Sequence, residues 1–233
     1  MKQRRPRIAI DGPVAAGKST IARLVASRLG FTYIDSGAMY RALAWAVIKS
    51  KIGASDAAKV VEVLDRVRIA LTPQREGANL VYLDGRDITG EIRTQEIGDL
   101  ASKLSEIPEV RARMVALQQQ MARMGGVVME GRDIQTVVLP DAEVKIFLTA
   151  PPEKRAERRS QELKQRGYTA SYDEVLAEIT GRDKRDTTRE HSPLRAAPDA
   201  VHVDSGGLTI EQVAERVLSV VRKRARSDPA ARG

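Results

Sequence analysis

The segment from Gly12 to Ser19 constrains the fold more than any other part of the chain. Its residues, Gly-Pro-Val-Ala-Ala-Gly-Lys-Ser, match the pattern G-x-x-x-x-G-K-[ST] without a gap. A short apolar run at 7–11 precedes the segment, and apolar residues at helical spacing follow it over 21–29. The pattern therefore predicts a phosphate-binding loop that joins a buried strand to a helix. The alternative interpretation is a glycine turn that only connects the two elements.

The residue types in this loop suit a nucleoside triphosphate. Glycines let backbone N–H groups turn toward a phosphate, and the positive end of a helix that begins at Lys18 adds to their effect. Lys18 can reach the β- and γ-phosphates, and the Ser19 hydroxyl can bind Mg²⁺. We predict that ATP binds through nine residues, with Ser19 also a metal ligand: Gly12, Pro13, Val14, Ala15, Ala16, Gly17, Lys18, Ser19 and Thr20.

The order of apolar patterns along the chain predicts an α/β fold. Strand patterns at 7–11, 31–34, 127–129, 144–148 and 200–203 alternate with helical patterns, which is typical of a parallel sheet with helices on both faces. Two further strand-like runs, 68–72 and 79–83, are followed by the turn residues Asp84-Gly85. We therefore expect a P-loop three-layer fold with a parallel central sheet and an inserted small antiparallel-sheet subdomain at about 55–105.

Composition limits the classes of protein to which the chain can belong. It has 233 residues, no cysteine and 3% aromatic residues, so disulfides and thiolate metal sites are excluded and few side chains can stack on nucleic-acid bases. No apolar run approaches the roughly 20 residues of a membrane span. The net charge of +8 leaves a nucleic-acid-binding P-loop protein as an alternative. We expect a cytoplasmic monomer that binds neither membrane nor nucleic acid.

A second anion site is indicated after the strand patterns at 31–34 and 127–129. Asp35-Ser36-Gly37-Ala38-Met39-Tyr40-Arg41 and Glu130-Gly131-Arg132-Asp133 both lie where a strand ends, and ligands bind at the carboxyl ends of strands in such sheets. Ser36 and Arg41 can hold a phosphate there, although Ser36 can also be a helix cap beside a surface Arg41. Arg182, Asp186 and Arg189 fall on one helical face, which also fits a surface ladder of ion pairs.

Taken together, these segments resemble bacterial cytidylate (CMP/dCMP) kinases. The resemblance covers about residues 7–222 and includes Asp11-Gly12-Pro13, Gly90-Glu91-Ile92-Arg93-Thr94, Pro140-Asp141-Ala142 and Arg182-Asp183-Lys184-Arg185-Asp186 besides the segments above. It implies three parts within a single kinase domain: a core at about 7–54, 106–150 and 190–225, a monophosphate-binding insertion at 55–105 and a helical lid at 151–189. The tails, 1–6 and 226–233, are expected to be disordered.

The resemblance also implies a role for individual residues. Lys18 and four arginines are the expected catalytic residues: Arg132, Arg155, Arg158 and Arg159. The last three, on the first lid helix, would close over the phosphoryl group. The acceptor phosphate is expected to bind Arg41, Arg132 and Arg189, beside Ser36 and Tyr40. Cytosine is expected to contact Ser102, Arg111 and Asp133, and the sugar hydroxyl is expected to contact Arg182 and Asp186.

The resemblance implies transfer of the γ-phosphoryl group of ATP to CMP or dCMP. An Asp133 carboxylate can accept from the N4 amino group of cytosine, whereas uracil presents an oxygen at that position. Another small-molecule P-loop kinase, for UMP or shikimate, is the main alternative. A GTPase is not expected, because the sequence lacks an Asn-Lys-x-Asp segment. Two positions depart from some family members: Ser19 replaces a glycine, and Glu130 stands where an Asp is also found.

Overall fold

The computed structural model describes residues 5–72, 74, 79–165 and 167–227. Eight strands, numbered in chain order, form two sheets: β1 Arg7–Asp11, β2 Thr32–Asp35, β3 Ile69–Thr72, β4 Leu80–Leu83, β5 Arg86–Asp87, β6 Val127–Gly131, β7 Val144–Thr149 and β8 Val201–Asp204. The larger sheet has the order β2-β6-β1-β7-β8, and all its pairings are parallel. The predicted parallel central sheet is confirmed.

Eight α-helices flank these sheets: α1 Lys18–Leu29, α2 Ser36–Lys49, α3 Ala57–Arg66, α4 Gln95–Leu104, α5 Pro108–Ala122, α6 Pro152–Gln165, α7 Tyr172–Thr188 and α8 Ile210–Ser227. A 3₁₀ turn, Glu91–Arg93, precedes α4, and a π-helical turn, Ile134–Val138, follows β6. The helix ends have local causes. Gly30 ends α1 with a left-handed φ of 62°, and the Asp35 side chain caps α2 by accepting from the Ala38 amide at 2.8 Å.

Apolar side chains cover both faces of the parallel sheet, so its strands are almost continuously hydrophobic. On one face, α1 and α8 pack against the sheet through residues such as Val25, Val217 and Ile146. On the other face, Met129 and Ile34 contact Ala122 of α5 and the π-helical turn. This gives three layers, as predicted, and leaves the carboxyl edge of the sheet open for a ligand.

The smaller sheet is antiparallel in the order β3-β4-β5, as the hairpin pattern predicts. It does not have a core of its own. Val81 and Leu83 share one apolar cluster with Met39 and Leu43 of α2 and with Met114 of α5. The segment at 55–105 therefore packs firmly on the rest of the chain, while its role as a separate subdomain stays a prediction.

The structure differs from the expected boundaries at several helix and chain ends. Helix α2 begins at Ser36 because Asp35 is the cap, so the interpretation of Ser36 as a cap is wrong. At the N-terminus, the Arg5 guanidinium lies 5.1 Å from the centre of the Phe31 ring, and α8 extends to Ser227. The expected disorder of the tails, 1–6 and 226–233, stays a prediction. Residues 1–4 and 228–233 lie outside the described part of the chain.

Candidate active site

A large cleft opens at the carboxyl edge of the parallel sheet, with a volume of about 870 Å³. Its walls come from the loop after β1, the start of α2, the segment after β6, and parts of α4, α6, α7 and the turn after β8. This is where open parallel sheets bind ligands, because neighbouring connections diverge there. The cleft brings together most of the residues that sequence analysis assigned to two separate anion sites.

The predicted phosphate loop runs from Gly12 to the start of α1. Gly12 has a φ of 156°, and a Cβ added to it would lie 2.0 Å from the Leu148 carbonyl oxygen of β7, so only glycine fits. Gly17 has a φ of 92°, which lets the chain turn directly into the helix. The loop therefore has the close backbone packing and the helix N-terminus that a phosphate site requires.

Lys18 is buried at the base of this loop. Its Nζ donates to the Pro13 carbonyl oxygen at 2.7 Å, so the ammonium group lies within the curve of the loop. Burial, followed by repulsion from Arg132, lowers the pKa of Lys18 to about 7. A bound polyphosphate would oppose both effects and favour the charged ammonium form.

Two buried carboxylates, Asp11 and Glu130, organise the carboxyl edge of the sheet. Asp11 accepts hydrogen bonds from the backbone amides of Ile134 at 3.0 Å and Gln135 at 2.8 Å, which fixes the segment that leaves β6. Burial raises the pKa of Asp11 to about 7 despite these bonds. Glu130 accepts from the Tyr33 hydroxyl at 2.7 Å, and burial and the nearby Asp35 raise its pKa.

Beside the phosphate loop, the end of β6 and the start of α2 are in close contact. The Ser36 hydroxyl donates to the Glu130 carbonyl oxygen at 2.6 Å, and Gly131 has no room for a side chain because a Cβ would lie 2.6 Å from the Ser36 Oγ. Arg41 pairs with Asp35 at 3.0 Å and remains partly exposed to the cleft. Both Ser36 and Arg41 line the cleft, as predicted for the acceptor phosphate site.

Three arginines, Arg132, Arg182 and Arg189, lie around Asp186. The Arg132 Nε donates to Asp186 at 2.8 Å, and burial followed by repulsion from Arg132 lowers the pKa of Arg182 to about 10. Arg189 follows the end of α7 and donates from Nε to the Ser192 carbonyl oxygen at 2.6 Å. These side chains line the cleft, so the interpretation of 182, 186 and 189 as a surface ion-pair ladder is wrong.

Several buried nitrogens in this region have no hydrogen-bond partner within the described residues. They are the Nε atoms of Arg111 and Arg182 and the Nη2 atom of Arg189. Unsatisfied buried donors are costly, and each of these belongs to a cationic side chain that lines the cleft. The arrangement therefore favours an anionic or hydrogen-bond-accepting ligand between them.

The far end of the cleft contains a buried ion pair between Arg111 and Asp133. These side chains are 6% and 10% exposed, and Arg111 also donates to the Ser105 carbonyl oxygen at 3.0 Å. Burial raises the pKa of Asp133, an effect that Arg111 opposes. Ser102 and Tyr40 also line this end of the cleft, and burial raises the pKa of Tyr40 to about 12. A planar base would meet both donors and acceptors here.

The arginines of α6 are divided between the cleft and the interior. Arg158 donates to the Ser205 hydroxyl at 2.9 Å, and a Cβ on Gly17 would lie 4.0 Å from its Nη1, so it lies against the phosphate loop. Arg159 lines the cleft and contacts Gln95 of α4 at 3.3 Å. Arg155 does not line the cleft: it is buried and donates to the Ala150 and Val14 carbonyl oxygens. This arrangement does not support the prediction that Arg155 contacts the phosphoryl group.

The cleft also contains residues that sequence analysis did not assign. On the insertion side they are Arg93, Thr94, Gln95 and Gly98, and after β8 they are Ser205, Leu208, Thr209 and Ile210. Ligands bind at the carboxyl ends of strands in such sheets, and Ser205 directly follows β8. The sequence could therefore have predicted Ser205 as a residue of the cleft. The position of 93–98 depends on how the insertion folds back over the sheet, which the sequence pattern does not specify.

The chain resembles known proteins over nearly its whole length. A family model described as cytidylate kinase matches residues 8–223. The chain belongs to the cytidylate kinase family. A cytidylate kinase of Caldicellulosiruptor bescii is 52% identical over 216 residues, covering 93% of this chain and 95% of the relative. A cytidylate kinase of Bacillus subtilis is 46% identical over 224 residues, covering 96% of this chain and all of the relative.

Among solved structures, an uncharacterised protein from Eubacterium ventriosum superimposes with a TM-score of 0.54 at 11% identity, covering 95% of this chain and 99% of that chain. At this identity the likeness concerns the fold alone. Within the part of the chain that the structure describes, this member of the cytidylate kinase family has no helix long and apolar enough to cross a membrane. The same residues contain no cluster of three or more acidic, histidine or cysteine side chains suited to a metal ion.

Proposed function

We propose that the chain transfers the γ-phosphoryl group of ATP to CMP or dCMP, giving ADP and CDP or dCDP. One observation carries the proposal: the phosphate loop and the buried Arg111–Asp133 pair line the same cleft. Arg41, Arg132 and Arg189 line it as well, and the chain belongs to the cytidylate kinase family. A cleft of about 870 Å³ has room for two nucleotides with their phosphates facing each other.

The donor triphosphate is proposed to bind the loop from Gly12 to Thr20. The support is the loop geometry, the helix N-terminus and the burial of Lys18 within the curve of the loop. Arg158 lies against Gly17 and is proposed to contact the transferring phosphoryl group from the lid side. Ser19 is exposed at the first turn of α1 and would hold Mg²⁺ together with phosphate oxygens of ATP. The ion would neutralise phosphate charge.

The acceptor phosphate is proposed to bind Arg41, Arg132 and Arg189. Asp186 lies near two half-buried arginines, Arg132 and Arg182, and lowers the charge of the cluster by only one unit. The remaining positive charge suits a phosphate dianion, and the unpartnered Nη2 of Arg189 provides a donor for it. Arg182 and Asp186 are proposed to contact the sugar hydroxyl.

The base is proposed to be cytosine, held by Ser102, Arg111 and Asp133. The Asp133 carboxylate accepts from an N4 amino group, while the Arg111 guanidinium and the Ser102 hydroxyl donate to N3 and O2. Uracil presents O4 and a protonated N3 to the same groups, so donors face donors and acceptors face acceptors. Because the pair is buried, water cannot compensate for that mismatch.

Transfer between these sites needs alignment and charge neutralisation rather than a general base. The attacking oxygen of the acceptor is already an ionised phosphate oxygen near neutral pH. Lys18, Arg132 and Arg158 are proposed to neutralise the charge that spreads over the moving phosphoryl group. Helices α6 and α7 cover the phosphate loop and would exclude water, which otherwise competes as the acceptor.

The remaining parts of the proposal concern organisation and partners. Residues 55–105 are proposed as the monophosphate-binding insertion and 151–189 as the lid, in a monomer that acts on small molecules and not on nucleic acid. A basic P-loop protein that binds nucleic acid is the alternative. It predicts oligonucleotide binding with a steep dependence on salt concentration.

The proposed function is tested by measuring ADP release with CMP, dCMP, UMP, AMP and shikimate as acceptors. We expect rapid release with CMP and dCMP and much slower release with the other three. Comparable rates for UMP and CMP would contradict the assignment of the base site. Release that depends on none of the acceptors would contradict the proposed function itself.

A further inference from the structure

The tip of the phosphate loop packs against the lid helices, α6 and α7. Val14 and Ala15 contact an apolar cluster formed by Ala156 of α6 and by Val175 and Ile179 of α7. Ala15 has a φ of 56°, a left-handed conformation that is unfavourable for a residue with a Cβ. Such a conformation persists only where the surroundings hold it. The lid helices are therefore part of the support that fixes the loop.

An ion pair between Arg155 and Asp183 bonds to both the amide and the carbonyl group of Val14 in the phosphate loop. The Val14 amide donates to Asp183 Oδ1 at 3.2 Å, and the Val14 carbonyl oxygen accepts from Arg155 Nη1 at 3.2 Å. Arg155 also pairs with Asp183, and its Nε donates to the Ala150 carbonyl oxygen at 2.9 Å. The side chains of Arg155 and Asp183 are 5% and 19% exposed, so little water competes for these bonds.

We call the Arg155–Asp183 pair the clamp. Helix α7 connects it to the arginine cluster that lines the cleft. Asp183 bonds to the phosphate loop, and three residues later Asp186 pairs with Arg132 at 2.8 Å in the arginine cluster. We propose that Arg155 and Asp183 are positioning residues for the donor nucleotide. They hold Val14 and Ala15 in the conformation that accepts phosphate, and neither side chain has to touch the substrate. The inference rests on the proposed function, in which this loop binds ATP.

The inference predicts a specific change in the KM for ATP. Asp183→Ala removes the acceptor of the Val14 amide, and the loss of a charge-assisted hydrogen bond raises the KM for ATP about tenfold. Asp183→Asn keeps an acceptor for the Val14 amide but turns an amino group toward Arg155, so its KM for ATP lies between those of the wild type and Asp183→Ala. The KM for CMP changes by less than about threefold in both variants, because neither Arg155 nor Asp183 bonds to a side chain proposed to hold CMP.

Two further variants complete the experiment. Arg155→Met leaves the Val14 carbonyl and the Asp183 carboxylate without their cation and also raises the KM for ATP, so it tests the inference if Asp183→Ala does not fold. Lys154→Met is the matched control on the same helix. Lys154 forms an exposed pair with Glu157, and its replacement leaves both KM values unchanged.

Thermal unfolding and binding of a fluorescent ATP analogue without acceptor separate the possible outcomes. A lower melting temperature with an unchanged KM for ATP in Asp183→Ala and Arg155→Met would overturn the inference, because the pair would then only stabilise the lid. A lower KM for ATP would also overturn it. If the wild-type protein binds the analogue but does not phosphorylate CMP, the proposed function fails, and the binding measurements on the variants still decide the role of the clamp.

Discussion

Replacement of Asp133 by Asn tests the base site at a buried side chain. The substitution keeps the shape of the side chain but exchanges one carboxylate oxygen for an amino group. The Asp133 side chain is 10% exposed and is paired with Arg111, so a cytosine N4 amino group that meets an amide nitrogen there has no alternative partner. Losing one charge-assisted hydrogen bond costs about 1.5–3 kcal/mol, which corresponds to a factor of roughly 10 to 150.

The assay is a competition between equimolar CMP and UMP for limiting ATP. The ratio of CDP to UDP equals the ratio of the two kcat/KM values and does not depend on how much of the variant is folded. We expect this ratio to fall by at least about tenfold in Asp133→Asn, because uracil O4 can accept from the new amino group while cytosine N4 cannot. The fall should come mainly from slower CDP formation.

Asp65→Asn provides the matched control. Asp65 pairs at 2.5 Å with Arg113, which lies on α5 as Arg111 does, but this pair is exposed and does not line the cleft. The control should leave the CDP to UDP ratio unchanged. If Asp133→Asn also leaves the ratio unchanged, the buried pair does not read the base and the assignment of this end of the cleft is refuted.

Two other substitutions test the phosphate loop and the start of the sheet. Gly12→Ala should abolish ATP binding, as measured by calorimetry, because its Cβ would lie 2.0 Å from the Leu148 carbonyl oxygen. A variant that binds ATP like the wild type would show that the loop tolerates a side chain there. Arg7→Met should lower the free energy of unfolding by about 2–3 kcal/mol in urea titrations, because Arg7 is buried and bonds to Asp141 and Glu143. Its kcat/KM for CMP should stay that of the wild type; a large loss of activity would contradict the assignment of Arg7 to stability alone.

Much of the fold was predictable because local patterns and tertiary packing agree. The strand at 7–11 matches its expected bounds, since its three central residues are apolar and all five of its residues are buried. Asp35 was interpreted as part of a ligand motif, whereas its carboxylate caps α2. Capping residues and ligand-binding residues are often of the same types, so the pattern alone does not separate them.

The candidate site was predictable in its position but less so in its contacts. Strand ends place Ser36, Arg41 and Asp133 around one cleft, as expected from the parallel sheet. Arg155 has the same residue type and helix as Arg158 but points into the interior, where Asp183 and two carbonyl oxygens bind it. The helical pattern of α6 does not reveal this, because the partners of Arg155 come from distant segments of the chain.

The central claim is that the cleft moves a phosphoryl group from ATP to a cytidine monophosphate rather than to water. The most direct measurement follows the label of [γ-³²P]ATP incubated with the wild-type protein, Mg²⁺ and CMP. The proposed arrangement predicts that the label appears in the β-phosphate of CDP, with at most about 1% as inorganic phosphate, because the lid helices exclude water from the phosphate loop. Label that appears mainly as inorganic phosphate, whether or not CMP is present, would contradict the claim.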